Sequence, residues 1–317
     1  MHRYSASLRA TLPSPFCTVP SSPSRTHLDA TAVLSLLLCC LLWGMNQVSI
    51  KAALPEVPVL VQLALRSVIA FVLLLAWMRW RGIRWDWRDG TLGPGLLAGT
   101  LFAVEFGLAF IGLQYTTAAR GVVFINTSPF VVAIVLAAAH RSARLAPVQW
   151  AGLVIAFAAL AWAFGEGTSA GSWHGDLLIL GAAVLWGLTT VTIRLSSLRA
   201  ARSEVTLAYQ LGVAALLSPL AAWLAGAAWP AHWSALSVGV LFYQGVIVTF
   251  ASYLLWFWLL TRYPATQVQA FVFLTPVFGA FSAGLLLGEA LTPALLGALA
   301  GVGAGLALLN RRPRTSA

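Results

Sequence analysis

Charge is what this 317-residue chain lacks most: 9% of its residues are Asp, Glu, Lys or Arg, against 60% hydrophobic. A water-soluble domain carries about a quarter charged residues, so a soluble fold is excluded. Lysine occurs once, as Lys51, and no G-x-x-x-x-G-K-[ST] stretch exists. The chain therefore has no ATP-binding loop of that kind, and ATP-driven work would need a partner. Cysteine is scarce: Cys17 near the start, and the adjacent Cys39 and Cys40 in an apolar run. That is neither a disulfide framework nor a metal spacing. The histidines, His2, His27, His140, His174 and His232, fall in the N-terminal stretch or at the ends of apolar segments. A clustered acid/base or metal set is missing, so no enzyme, metal or cofactor is expected. Two motif matches lack their context. Residues 167–171 read G-T-S-A-G but sit in a loop, with no strand before and no helix built around them. The sequon Asn126-Thr127-Ser128 lies in the middle of an apolar run.

What is present is apolar sequence in bilayer-length runs. Ten segments, about 30–54, 58–79, 92–114, 117–139, 146–164, 175–196, 204–226, 234–261, 265–288 and 291–310, are long enough to cross a membrane. Each must be helical, because a backbone in lipid has to satisfy its own hydrogen bonds. The formal net charge of +10 follows topology and does not indicate nucleic acid. With the N-terminus in the cytoplasm, 15 of the 19 basic residues fall on the cytoplasmic side. The other four, Lys51, Arg66, Arg120 and Arg194, lie in or at the edge of helices. Both termini are then cytoplasmic, and the expected location is the inner or plasma membrane. Residues 1–28 read as a disordered cytoplasmic tail and 311–317 as a basic one. Residues 1–28 also have the Arg-rich, acid-poor composition of a transit peptide. Pro13, Pro15, Pro20 and Pro23 oppose the helix such a peptide needs.

The chain also repeats itself. L-L-W-G-M-N-Q-V-S-I-K at 41–51 returns as V-L-W-G-L-T-T-V-T-I-R at 184–194. Tyr115-Thr116-Thr117-Ala118 parallels Tyr263-Pro264-Ala265-Thr266, Ser128-Pro129 parallels Thr275-Pro276, and Leu145-Ala146-Pro147 parallels Leu291-Thr292-Pro293. Five helices per copy is an odd number, so the second copy enters from the opposite side. The expected fold is all-α: ten transmembrane helices as two inverted repeats, 29–164 and 174–310, with a site between them near the midplane.

Arg66 and Glu105 fall close to the middle of the second and third helices. A charge at that depth costs about 2.5–3.5 kcal/mol. Two readings follow: both groups face a wet cavity, with Glu105 a proton or cation site, or they form a fixed pair that locks two helices. Around them stand Asn46, Gln47, Asn126, Gln210, Gln244, Gln267 and Gln269. Amides both donate and accept, which suits zwitterionic or polyhydroxy solutes; interhelical glue is the plainer role. Gln210 aligns with Arg66 across the repeat, and Gln267 with Arg120. Arg120 and Gln267, near opposite mouths, are candidates for gating or solute attraction; snorkelling to the interface is the expected role of Arg120, Lys51 and Arg194. Trp43 and Trp186 are stacking surfaces or packing residues. Pro129, Pro219 and Pro276 sit inside the expected helices, as gating kinks or static bends. Gly297, Gly301 and Gly305 make one small face, for packing within the chain or for a homodimer.

These features resemble the EamA-like family of the drug/metabolite transporter superfamily over about residues 30–310. The resemblance rests on the two L-W-G helices ending in Lys51 and Arg194, Arg66, Tyr209-Gln210, the run Tyr253-Leu254-Leu255-Trp256-Phe257, Leu274-Thr275-Pro276-Val277 and Gly288-Glu289-Ala290-Leu291-Thr292. It implies ten helices in two inverted repeats and transport of small metabolites, often export. One departure is that Ala143 stands where the repeat would place a counterpart of Glu289. The expected function is secondary transport of small polar, amino-acid-like metabolites, with alternating access of the two halves. Its partners are the substrate and the bilayer. The rival is a multidrug or lipophilic-cation exporter, and behind it a non-transporting scaffold or sensor.

Overall fold

The computed structural model describes residues 28–86, 88–139, 145–165, 172–263, 268 and 271–309. Among these residues all regular structure is helical. Helix α1 covers Ala30–Ala53, α2 Val59–Trp80, α3 Leu92–Tyr115, α4 Ala118–Ile125, α5 Ser128–Ala139 and α6 Pro147–Gly165. Then come α7 Ser172–Leu195, α8 Ser203–Leu224, α9 Ala235–Phe242, α10 Tyr253–Arg262, α11 Thr275–Leu287 and α12 Pro293–Leu309. A π-helix, Tyr243–Ser252, joins α9 to α10, and a 3-10 turn, Val272–Leu274, leads into α11. The tails expected over 1–28 (Leu28 apart) and 311–317, the loop 167–171, and the candidates Gln267 and Gln269 lie outside the described residues.

Seven helical stretches among the described residues are long and apolar enough to cross a membrane. Three further apolar helices, Pro147–Ala163, Thr275–Leu287 and Pro293–Leu309, are shorter. A 17-residue helix rises only about 25 Å, less than a typical hydrocarbon core. The outward surface is apolar: Leu285 is 85% exposed and Leu216 71%, as suits a lipid-facing side chain.

Two expectations about helix continuity are corrected. The segment 117–139 is not one unbroken helix. At its centre the Asn126 amide nitrogen donates to Val122 O (2.7 Å) and Thr127 Oγ1 donates to Phe124 O (2.7 Å). Short polar side chains compete here for the backbone and end α4. Pro129 and Pro276 are then not interior kinks, since each is the second residue of its helix, α5 or α11. In a first turn the missing N–H costs nothing. Pro219 does sit inside α8.

Close packing runs through glycine. The most extensive contacts join α3 to α7, α6 to α12, α2 to α8, α1 to α11, and α3 to α8. The two Trp-Gly steps do the same work. A Cβ on Gly44 would lie 2.6 Å from Gly279 N and 2.7 Å from Thr275 O, at the start of α11. One on Gly187 would lie 2.7 Å from Val131 Cβ and 3.1 Å from Ser128 O, at the start of α5. The face of Gly297, Gly301 and Gly305 is covered by Trp162, Ala159 and Gly152 of α6. This face is used for packing within the chain. Gly44→Ala is expected to destabilise by about 1–3 kcal/mol, because backbone atoms of α11 cannot yield. Gly187→Ala should cost less, its nearest contact being a side chain. Thermal unfolding in detergent ranks the two; equal midpoints would refute the difference.

Candidate functional site

Arg66 organises the centre. It is 2% exposed, about one turn toward the N-terminal side of the middle of α2. Its Nε donates to Thr249 Oγ1 (2.8 Å), and its guanidinium carbon lies 4.0 Å from the Phe106 ring centroid. Thr249 belongs to the π-helix, and its hydroxyl donates to Gln244 O (2.7 Å), a reach of five residues. The same wide turn sets the Gln244 side chain against α2, where its Nε2 donates to Gln62 Oε1 (3.1 Å). Gln62 in turn donates to Val57 O (3.0 Å) and Ile50 O (3.3 Å). On the α1 side Trp43 Nε1 donates to Ser252 Oγ (2.7 Å) and Tyr243 OH donates to Leu42 O (2.6 Å). Trp43 meets Trp256 edge-on, ring centroids 5.0 Å apart. The π-helix is thus clasped by α1 and α2 along its polar side, and π segments inside helices often mark functional places.

Glu105 is 4% exposed and near the middle of α3. No Arg66 nitrogen comes within 4.0 Å of its carboxylate, so the fixed-pair reading fails at contact range. Both ends of the would-be pair are left with an atom that makes no hydrogen bond inside the chain: Arg66 Nη1 and Glu105 Oε2. Buried Gln244 Oε1, Asn46 Oδ1, Gln47 Oε1 and Thr275 Oγ1 are in the same condition. Buried polar atoms are normally partnered. These atoms make Arg66 and Glu105 the candidates around which a site is sought.

A second polar cluster lies at the Lys51 end of the bundle. Fully buried Asp176, at the start of α7, is paired with Arg120 of α4 through Nη2, and through Nε at 3.1 and 3.2 Å. Thr116 Oγ1 donates to Asp176 Oδ1 (2.6 Å), and Arg120 Nη1 donates to Ala163 O (2.8 Å). Lys51 Nζ donates to Thr116 O (2.6 Å). Glu289, from the α11–α12 connection, accepts from the N–H groups of Ala118 (2.8 Å) and Ala119 (2.9 Å). At the opposite end Tyr263 OH donates to both oxygens of Asp29 (3.0 Å each), which also caps α1 at Ala32 N.

The comparisons with known proteins agree with one another. The model of the EamA-like transporter family matches this chain twice, over residues 30–165 and 173–311. The chain belongs to the EamA-like transporter family. Similar curated proteins include an uncharacterized transporter of Archaeoglobus fulgidus, 28% identical over 271 residues, covering 84% of this chain and 90% of that one. The uncharacterized transporter YvbV of Bacillus subtilis is 28% identical over 289 residues, covering 90% and 92%. A crystal structure covering 92% of this chain and 100% of its own is similar in fold, with a TM-score of 0.63 at 20% identity. The protein is an integral membrane transporter.

In this EamA-like transporter the expected site residues separate into groups. Trp43, Arg66 and Gln244 meet around the π-helix, and Asn46 and Glu105 carry unpartnered buried atoms. Asn126 is spent on its own helix break. Trp186 packs against the large apolar cluster of α3, α4, α6 and α7. Gln210 is half-buried and makes no side-chain hydrogen bond. The snorkelling expected of Arg120 is corrected: its head turns inward to Asp176 because that carboxylate is 0% exposed and has to be paired. Gln62, Thr249 and Asp176 were not singled out by sequence. Gln62 had a signal, since it lies four residues before Arg66 on the same helix face. Thr249 had none, because its contact depends on a π-helical turn that periodicity does not reveal.

Proposed function

We propose that this transporter is a secondary carrier of small polar, amino-acid-like metabolites, working in export. Two inverted five-helix halves, 29–164 and 174–310, alternate access to one central site, with both termini in the cytoplasm. Helix pairing supports the two-half reading: α1 on α11 and α7 on α4 and α5 exchange when the halves are exchanged. So do α3 on α8 and α2 on the π-helix, while α2 on α8 and α6 on α12 map onto themselves. Twofold matching by one family model supports it as well. The observation that carries the substrate class is the unpartnered Arg66 Nη1 and Glu105 Oε2, one of each charge, buried within α2 and α3. A zwitterion supplies one complement to each.

Glu105 also motivates the rival, a lipophilic-cation exporter, since its neighbours along α3 are aromatic: Phe106, and Phe102, whose ring lies tilted against that of Phe106 with centroids 4.7 Å apart. Glu105→Gln in proteoliposomes separates the two. For a zwitterion carrier, amino-acid efflux should fall about tenfold or more and lose its pH dependence, because a charged contact is worth about 1.5–3 kcal/mol. For the rival, lipophilic-cation binding should be abolished and amino acids never move. Wild-type efflux rate and pH profile retained in Glu105→Gln would sink the coupling role of Glu105.

A further inference from the structure

Glu289 is the only charged side chain among the described residues that reaches from the second half to cap a helix of the first. Its two carboxylate oxygens accept from Ala118 N and Ala119 N, 171 and 170 residues away in the chain. Those amides begin α4, and the third amide of that turn, Arg120 N, is already taken by Thr117 Oγ1 (3.1 Å). A helix start has no internal partners for these first N–H groups, and Ala118 and Ala119 are 1% and 0% exposed. Water therefore does not reach them, and Glu289 completes the cap. Gly288 makes this possible. It ends α11 with a left-handed φ of 66°, and a Cβ there would touch nothing. The glycine is required by backbone conformation alone, and that turn directs Glu289 toward α4. Lys51 adds to the same corner through Thr116 O.

The sequence at the opposite mouth differs: the repeat places Ala143 where Glu289 stands, and 140–144 contains no carboxylate. We propose that Glu289 is a one-sided latch: its carboxylate holds the outer mouth closed by capping α4, and must leave for that mouth to open. Departure strands two buried N–H groups until water enters, so the two positions are distinct states, and the resting equilibrium favours a closed outer side. This rests on the two-half, alternating-access reading given above, including its orientation.

Solvent access to the central site tests it without any substrate. In a background with Cys17, Cys39 and Cys40 replaced by alanine, Asn46→Cys serves as reporter. A membrane-impermeant maleimide is applied to right-side-out and to inside-out vesicles, and labelling at the reporter is read by mass spectrometry. Glu289→Gln, which replaces one accepting oxygen with a donor NH2 and removes the charge, should raise labelling from the outer side about tenfold, with no rise from the inner side. Ala118→Pro deletes one latch donor by a different route. Proline is tolerated at a first helical position, and Thr117 already has the extended backbone (φ −80°, ψ 155°) that precedes proline. It should raise outer labelling too, and the double variant should exceed the single ones by little, because both delete one contact. Parental labelling rates in both variants, with protein that elutes as a single folded species, overturn the latch, and so do additive effects. A rise seen only from the inner side keeps the latch and refutes the orientation. Should the parent move no solute at all, the substrate proposal falls while the labelling still decides the latch.

Discussion

Arg66→Leu is expected to raise the apparent KM for the transported solute about ten- to a hundredfold, with Arg66→Lys intermediate. The guanidinium is held from two sides, by Thr249 Oγ1 at 2.8 Å and by the Phe106 ring at 4.0 Å, which leaves Nη1 without a partner inside the chain. A hydrogen bond to a charged group is worth about 1.5–3 kcal/mol, and each 1.4 kcal/mol is tenfold. Lysine keeps the charge but not the planar fork, so it cannot hold Thr249 and present a second donor at once. Thr249→Val should reproduce part of the loss by freeing the guanidinium to rotate. Uptake and counterflow in proteoliposomes give the KM and maximal rate separately. A helix lock would behave otherwise, with less folded protein and an unchanged KM for what remains. That result would remove Arg66 from the site.

The second large effect is on stability. Arg120→Ala should destabilise the protein by about 3–5 kcal/mol, because it leaves the fully buried Asp176 carboxylate with only the Thr116 hydroxyl. Membrane proteins have little stability to spare, as folded proteins generally do, so much of the variant should fail to accumulate. Adding Asp176→Asn should recover a substantial part, since a neutral amide tolerates burial better than an unpaired carboxylate. The check is a double-mutant cycle on thermal unfolding in detergent. A cost under 1 kcal/mol for Arg120→Ala, or no recovery in the double variant, would show that the pair is not holding α4 to α7.

Much of the architecture is legible in the chain because the bilayer restricts the options. An apolar run in lipid has to be helical, and α1, α2, α3 and α8 lie close to the expected segments. Local polar chemistry broke the rule within 117–139, where Asn126 and Thr127 bond to their own helix. The two Trp-Gly steps, alike in sequence, each seat the start of another helix, Gly44 that of α11 and Gly187 that of α5.

The sequence by itself determined that this protein is a helical membrane protein of the EamA-like type, with Arg66 and Glu105 at expensive depth. The helical membrane fold and the depth of the two charges follow from composition and run length, and the family resemblance from motifs such as the two L-W-G helices and Leu274-Thr275-Pro276-Val277; tertiary contacts cannot alter any of these. Only the tertiary structure decided which polar groups are spent and which remain. Arg120 found Asp176, Glu289 found the start of α4, and Arg66 and Glu105 were left with atoms that make no hydrogen bond inside the chain. The physical reason is distance along the chain. Hydrogen bonds across 56 to 183 residues depend on how helices cross, and helix crossing is set by glycine contacts and by one π-helical turn.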